Sequence, residues 1–264
     1  MKNLKLGRDV GADETGLDAV PRAASRDQLG SAPLPFHGYD LWNGYEVSYL
    51  GHDGKPHVWH LQIRYDAASP FIVESKSLKL FLNSFNQKRF TDRAEFSNEV
   101  LRALEATLGT SVDLVFFDRD RSPERRKLPG TCVDGLELTG PVNGYDANLL
   151  HAQPGEGTFD LHSHVLRSNC PVTNQPDWGA VWIRGRGNHH PDPASLLTYL
   201  VSFREHQDFH EACCETIYMD LHRTLKPQAL AVSCFYTRRG GLDINPHRFS
   251  EPPNEVIRDL VWRQ

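Results

Sequence analysis

One loop of this chain places a cysteine and an aspartate within reach of each other: Arg167-Ser168-Asn169-Cys170-Pro171-Val172-Thr173-Asn174-Gln175-Pro176-Asp177-Trp178. Its prolines and asparagines mark a connection between strands, so Cys170 and Asp177 can face one another across it. Most cysteines are small buried hydrophobes. Cys214, on a helical stripe, and Cys234, within Val232-Ser233-Cys234-Phe235, fit that description. Cys170 sits instead in a polar loop with Arg167 nearby, a setting that permits a reactive thiolate. Spacing alone leaves nucleophile and structural thiol both open.

Three further groups carry candidate chemistry. In Glu205-His206-Gln207-Asp208-Phe209-His210-Glu211, Asp208 and Glu211 fall at i and i+3, matching an acidic capping box. His210, in the first turn of the helix that follows, suits hydrogen bonding or proton transfer near pH 7. Glu74-Ser75-Lys76-Ser77 lies where a strand gives way to a helix. It reads either as an N-cap by Ser75 or Ser77 with Lys76 solvated, or as free backbone N–H groups and a lysine forming an anion seat. Glu74 ends an apolar strand and can face a cleft. Tyr236-Thr237-Arg238-Arg239-Gly240-Gly241 lets guanidinium and backbone approach phosphates closely, or forms a plain turn.

Metal and nucleotide signatures are weak. His162 and His164 share one strand face, and His206 and His210 precede Cys213 and Cys214, yet no HExxH or paired CxxC spacing occurs and no metal is expected. Gly185-Arg186-Gly187 lacks a third glycine, and GxxxxGK[ST] is absent.

The elements that must position these groups follow from periodicity. Tyr45 to Leu50 and His57 to Tyr65 read as a hairpin turning at Gly51 to Gly54, with a short strand at Phe71 to Val73. Leu78, Phe81, Leu82 and Phe85 form one helical face, and a second helix covers Arg93 to Leu108 before a strand at Val112 to Phe117. The second half repeats the plan: strands at Thr158 to Leu166 and Trp178 to Arg184, helices at Pro193 to Glu205 and Phe209 to Leu225, and a strand at Ala229 to Tyr236. The mixed-sign run Asp118 to Lys127 reads as a solvated connector between modules. Residues 1–33 lack a period and read as an arm, with order starting near Leu34. The division is an arm at 1–33 and modules at 34–130 and 131–264.

Composition is that of a soluble globular protein. The 264 residues suffice for a core without staples, and a formal charge of −5 offers no global attraction to nucleic acid or anionic lipid. The first 20 residues lack an apolar leader core, and no run is long enough to span a bilayer, so the cytoplasm is expected. Five cysteines without a paired pattern argue against a disulfide framework.

The stretches Val73 to Gln87, Ser168-Asn169-Cys170 with Gln175-Pro176-Asp177-Trp178, Phe209-His210-Glu211 and Arg238 to Pro246 closely resemble the long form of the NADPH-dependent nitrile reductases of queuosine biosynthesis, the 7-cyano-7-deazaguanine reductase family. The likeness extends to Leu34 to Gly38 and Tyr199 to Arg204, with no departure at a catalytic position. It implies an α+β fold of tandem tunnelling-fold (T-fold) modules, antiparallel sheets with helices on one face, associating as a homodimer. It also implies reduction of the nitrile of 7-cyano-7-deazaguanine to an aminomethyl group with two NADPH consumed. Cys170 would add to the nitrile as a thiolate, giving a covalent thioimide. Asp177 would move protons, which asks for a carboxyl of raised pKa, and His210 would assist the second protonation. Val73, Glu74, Ser75, His210 and Glu211 become the substrate contacts, and Ser75, Lys76, Arg239 and Gly240 the NADPH contacts, with no metal. The competing functions are a cysteine hydrolase using Cys170 and His210, a metal-dependent purine or pterin enzyme of the same fold, and a non-catalytic binding module.

Overall fold

The computed structural model describes residues 16–30 and 33–264. Residues 1–15, 31 and 32 of the expected arm lie outside the described residues. The first half comprises β1 (Ala19–Pro21), the single turn α1 (Ala23–Arg26), β2 (His37–Leu50), β3 (Pro56–Asp66), β4 (Phe71–Val73), α2 (Ser75–Ser84), α3 (Arg93–Leu108) and β5 (Val112–Phe117). The second comprises β6 (Thr131–Cys132), β7 (Ala152–Ser163), β8 (Arg167–Asn169), β9 (Pro176–Pro191), α4 (Pro193–Ser202), α5 (His210–Leu225), β10 (Ala229–Tyr236) and β11 (Leu242–Phe249). Each half thus repeats a strand pair, two helices and a closing strand, the tandem α+β plan expected of two T-fold modules.

Local chemistry explains the helices. Asp92 caps α3 by accepting from Glu95 N at 2.9 Å, while Glu95 Oε2 accepts from Thr91 N at 2.7 Å. Phe96, Val100, Leu104 and Leu108 then repeat every fourth residue and bury one stripe with Leu78 and Leu82 of α2 against the first half of the sheet. In the second half, α4 and α5 bury Leu196, Leu200, Cys213, Cys214, Ile217 and Leu221 against β7, β9 and β10. Cys214 and Cys234 are fully buried, as the stripe and strand predict.

The two halves share one sheet, ordered β5-β3-β2-β11-β10-β9-β7-β6, with β8 hydrogen-bonded to β9. Its pairs are antiparallel apart from β6 with β7. The joint between halves is β11 against β2, in register from Leu242 opposite Gly44 to Phe249 opposite His37. No strand was expected there, because Asp243, Asn245, Pro246, His247 and Arg248 are polar or strand-breaking types. All eight residues of β11 are nevertheless buried. Pro246 has no N–H to donate, and β11 pairs with β10 only through residues 247–249. The two strands part beyond it, toward the loop that carries Arg239.

Order also starts earlier than Leu34. β1 pairs with β4, Leu29 joins the second core, and Arg22 and Arg26 enter a buried ionic network. In it Arg248, with no exposed surface, bonds Asp40 of β2 and Glu215 of α5 at 2.8 Å each, Arg22 pairs with Asp40, and Arg26 Nη2 reaches Glu215 at 2.7 Å. Charges this deep persist only when paired. An aperiodic segment was drawn into the fold by two arginines that sequence periodicity does not register.

Candidate active site

Cys170 lies just beyond β8, in the loop that leads into β9. Its amide donates to Gln175 O and its carbonyl accepts from Asn174 N, each at 2.9 Å, so the loop closes as a tight turn with Asn174 at φ +54°. Burial alone would raise the half-buried thiol. Hydrogen bonds from the Thr173 hydroxyl and the amides of Thr173 and Val172 outweigh it and hold the pKa below the ordinary value.

Asp177 sits in the first turn of register between β8 and β9, opposite Ser168, and is 3% exposed. Its Oδ1 pairs with Arg239, and its Oδ2 lies 3.2 Å from His210 Nε2. Burial pushes the carboxyl up, but His210 and Arg239 together overcome it and keep the pKa below the usual carboxylate value. The raised pKa expected for Asp177 is therefore corrected: in this state it is an anion, held so by two basic neighbours.

Helix α5 begins at His210, whose ring stacks on Tyr236 with centroids 3.9 Å apart and 20° between planes. The capping box expected of Asp208 and Glu211 does not form. The N-cap position is Phe209 with no side-chain cap, and Asp208 Oδ1 accepts from Phe209 N and Ser25 Oγ. Glu211 is 3% exposed, and its Oε1 is buried without a hydrogen-bond partner among the described residues. Burial, reinforced by the Asp40 charge, pushes its pKa up to about 8 against the partial offset of Arg22 and Arg248. An unsatisfied buried carboxyl costs stability and calls for a donor.

At the start of α2 the cap is Glu74 itself, rather than Ser75 or Ser77. Glu74 Oε1 accepts from Lys76 N at 2.9 Å and Oε2 from Ser77 N at 2.7 Å. The backbone donors read as a free anion seat are thus bonded within the chain, and only the side chains of Ser75 and Lys76 face outward.

These groups meet. A crevice of about 40 Å³ is lined by Trp42, Val73, Glu74 and Ser75 from the first half and by Cys170, Asp177, His210, Glu211, Arg239 and Ile244 from the second. Arg239, 39% exposed, stands at its edge. An open groove of about 280 Å³ adjoins it, sharing Ser75, His210, Arg239 and Ile244 and adding Lys76, Lys79, Thr237 and Gly240. A larger cavity of about 660 Å³, between Phe36, Arg64 and Pro252, holds none of these residues. The donor set of the groove fits a phosphorylated cofactor such as NADPH: Lys76, Lys79 and Arg239 supply cations, and Gly240, at φ +59°, leaves open a space where a Cβ would come within 3.0 Å of Lys79 Nζ. Sequence reasoning missed Trp42, Lys79, Thr237 and Ile244. Lys79 was legible, one turn after Lys76. Ile244 stands opposite Trp42 across β11 and β2, and was hidden with that strand.

A thiol of lowered pKa, a paired carboxylate and an imidazole thus share one crevice, beside a cationic groove, at the joint of two α+β halves. The chain belongs to the 7-cyano-7-deazaguanine reductase family. The family described as "Nitrile reductase, 7-cyano-7-deazaguanine-reductase N-term" matches residues 11–116, and "QueF-like protein" matches residues 176–255. Curated relatives named NADPH-dependent 7-cyano-7-deazaguanine reductase include those of Teredinibacter turnerae, 48% identical over 96% of this chain and 92% of the relative, and Azoarcus sp. strain BH72, 46% identical over 97% and 92%. That of Coxiella burnetii is 43% identical over 93% and 89%. Among solved structures, the apo archaeosine synthase QueF-Like covers 38% of this chain and 99% of its own, at 14% identity and a TM-score of 0.35.

Proposed function

We propose that this chain reduces the nitrile of 7-cyano-7-deazaguanine to the aminomethyl group, at the expense of two NADPH, through a covalent intermediate on Cys170. The observation that carries the reading is the convergence of Cys170, Asp177, His210 and Glu211 with Glu74 of the other module in one crevice beside a cationic groove. NADPH in that groove supplies hydride. The chain supplies everything else.

The Cys170 thiol, its pKa held below the ordinary value, can pass its proton to the ionised Asp177. Sulfur then bonds the nitrile carbon as one π bond opens, and the proton held by Asp177 passes to nitrogen, leaving a thioimide with atoms and charge balanced. Asp177 must act first as base and then as acid. Movement of Arg239 off Asp177 would remove one of the two neighbours that depress its pKa and raise its proton affinity for the second role. His210, 3.2 Å from Asp177 and stacked on Tyr236, would protonate the second reduction stage.

Glu211 and Glu74 recognise the base. A carboxylate oxygen is the natural acceptor for the ring N–H and exocyclic amine of a guanine-like edge, and the unpaired Oε1 of Glu211 gives that acceptor a structural basis. Val73 and Ser75 complete the substrate contacts, and Ser75, Lys76, Arg239 and Gly240 the cofactor contacts. The active form is a homodimer in the cytoplasm that needs no nucleic-acid partner. All five cysteines are free, in keeping with a reducing compartment, and no helix of the described residues is long and apolar enough to cross a membrane. Loss of NADPH absorbance should require the cyano-substrate, and light scattering should give twice the chain mass. Substrate hydrolysis without NADPH oxidation would favour a cysteine hydrolase instead.

A further inference from the structure

Away from the crevice, three side chains meet in a donor set that the reduction does not use. Cys132 of the edge strand β6 stands in parallel register opposite His162 of β7, and His164 follows at the bend beyond β7. The Cys132 sulfur and one ring nitrogen from each histidine lie within 4.8 Å of one another. His162 Nδ1 is 2.9 Å from the Pro129 carbonyl oxygen, which can only accept. Nδ1 therefore carries the proton and Nε2 presents its lone pair, the arrangement by which metal-bound histidines are held. Asp134 fixes the bend, accepting from His164 N at 2.9 Å and Ser163 Oγ at 2.7 Å. Cys132 is exposed, so an ion can reach the sulfur.

We propose that Cys132, His162 and His164 bind one Zn²⁺ ion in a site separate from the reduction crevice. Two imidazoles and a thiolate suit a borderline-soft tetrahedral ion and not Mg²⁺ or Ca²⁺, which take oxygen ligands. Zinc–ligand lengths of about 2.0 to 2.3 Å put the donor atoms roughly 3.5 Å apart, so a small side-chain rotation closes the site. The thiol proton leaves to solvent and the fourth position is open to water. The spacing-based expectation of no metal missed this cluster, because Cys132 comes from a distant strand.

The site carries its own reporter. Trp262 Nε1 donates to His164 Nδ1 at 3.1 Å. A neutral imidazole has one proton. Metal at Nδ1 takes the lone pair that Trp262 uses, and metal at Nε2 forces the proton onto Nδ1, so either mode releases Trp262. That indole is 64% exposed and free to move.

The test uses the full chain stripped with chelator and titrated with Zn²⁺, and with Co²⁺ as a spectroscopic substitute. The expected result is one equivalent bound, a thiolate-to-cobalt charge-transfer band, a change in tryptophan fluorescence and a raised Tm. Cys132→Ser should lose the band and weaken binding by more than about tenfold, as ligand loss does, while NADPH-linked turnover persists. Trp262→Phe should bind the ion without the fluorescence change. Lack of uptake by the wild-type chain, a band that survives Cys132→Ser, or a fluorescence change that survives Trp262→Phe each overturns the assignment.

Discussion

The two modules contribute unlike halves of one site. At the start of α2 in the first module, Glu74 is half-buried and both its oxygens accept backbone N–H bonds, with Ser75 and Lys76 outside it in solvent. At the start of α5 in the second, Glu211 is buried with an oxygen unbonded and its pKa pushed up to about 8. The same residue type at two helix starts thus has opposite character. The first is a satisfied cap at an exposed edge, and the second is a buried acid with an unbonded oxygen, lining the same crevice as Cys170 and Asp177. Water and backbone donors quiet a carboxylate, and their exclusion keeps it reactive toward a ligand. The second module should therefore carry the chemistry, and the first should carry binding.

The sharpest way to break that division is Cys170→Ala. Turnover should fall on the order of a thousandfold or more, as for loss of a nucleophile, and the mass increase of one substrate on mixing with 7-cyano-7-deazaguanine should vanish. An adduct that persists on Cys213 or Cys214, both fully buried, would overturn Cys170 as the nucleophile. Asp177→Asn keeps the loop shape and removes the proton carrier, so kcat should drop roughly 100- to 10,000-fold with little change in Tm. Near-normal turnover would move the proton role to His210.

Glu211→Gln sharpens the comparison through pH. Losing the charge-assisted acceptor should weaken substrate binding about ten- to a hundredfold, equivalent to ~1.5–3 kcal/mol. In the wild-type chain, donors from the base favour ionised Glu211, so calorimetric Kd should fall as pH rises toward 8, with proton release, and the variant should lose that slope. Stability runs the other way. The folded pKa lies above the ordinary carboxyl value, so the contribution of Glu211 is present below the unfolded pKa and lost as pH rises through about 8. Glu211→Gln should match wild-type Tm in acid and exceed it in alkali. A variant that melts lower at every pH would make Glu211 a structural group.

Glu74→Gln should cost less, because its cap already uses both oxygens. Affinity should fall roughly threefold to tenfold, with about 1 kcal/mol or less lost from α2. The smallest effect is expected for Gly240→Ala, where positive φ costs about 1 kcal/mol and the methyl group crowds Lys79. KM for NADPH should rise a few-fold with kcat unchanged, and a fall in kcat alone would place that loop in the chemistry.

Sequence by itself determined the elements whose signal is local. α3, β5 and β10 fall at the residues that periodicity predicts, and the helices bury the stripes read from their spacing. It also singled out Cys170, Asp177, His210 and Glu211, since loop composition and helix-start position are written in neighbouring residues. What it could not hold was contact between distant residues. β11 is polar by type and buried by position: Asp243 and Arg248 are satisfied by Asn43, Tyr45, Asp40 and Glu215 from other elements, and Asn245 bonds Asp243 beside it and Gln264, which turns an apparent loop into the strand joining the modules. Arg22 enters the core for the same reason. The charge on Asp177 belongs to the tertiary structure too. Its own loop would bury and neutralise it, and only the approach of Arg239 and His210 from later segments decides that the buried carboxyl remains an anion.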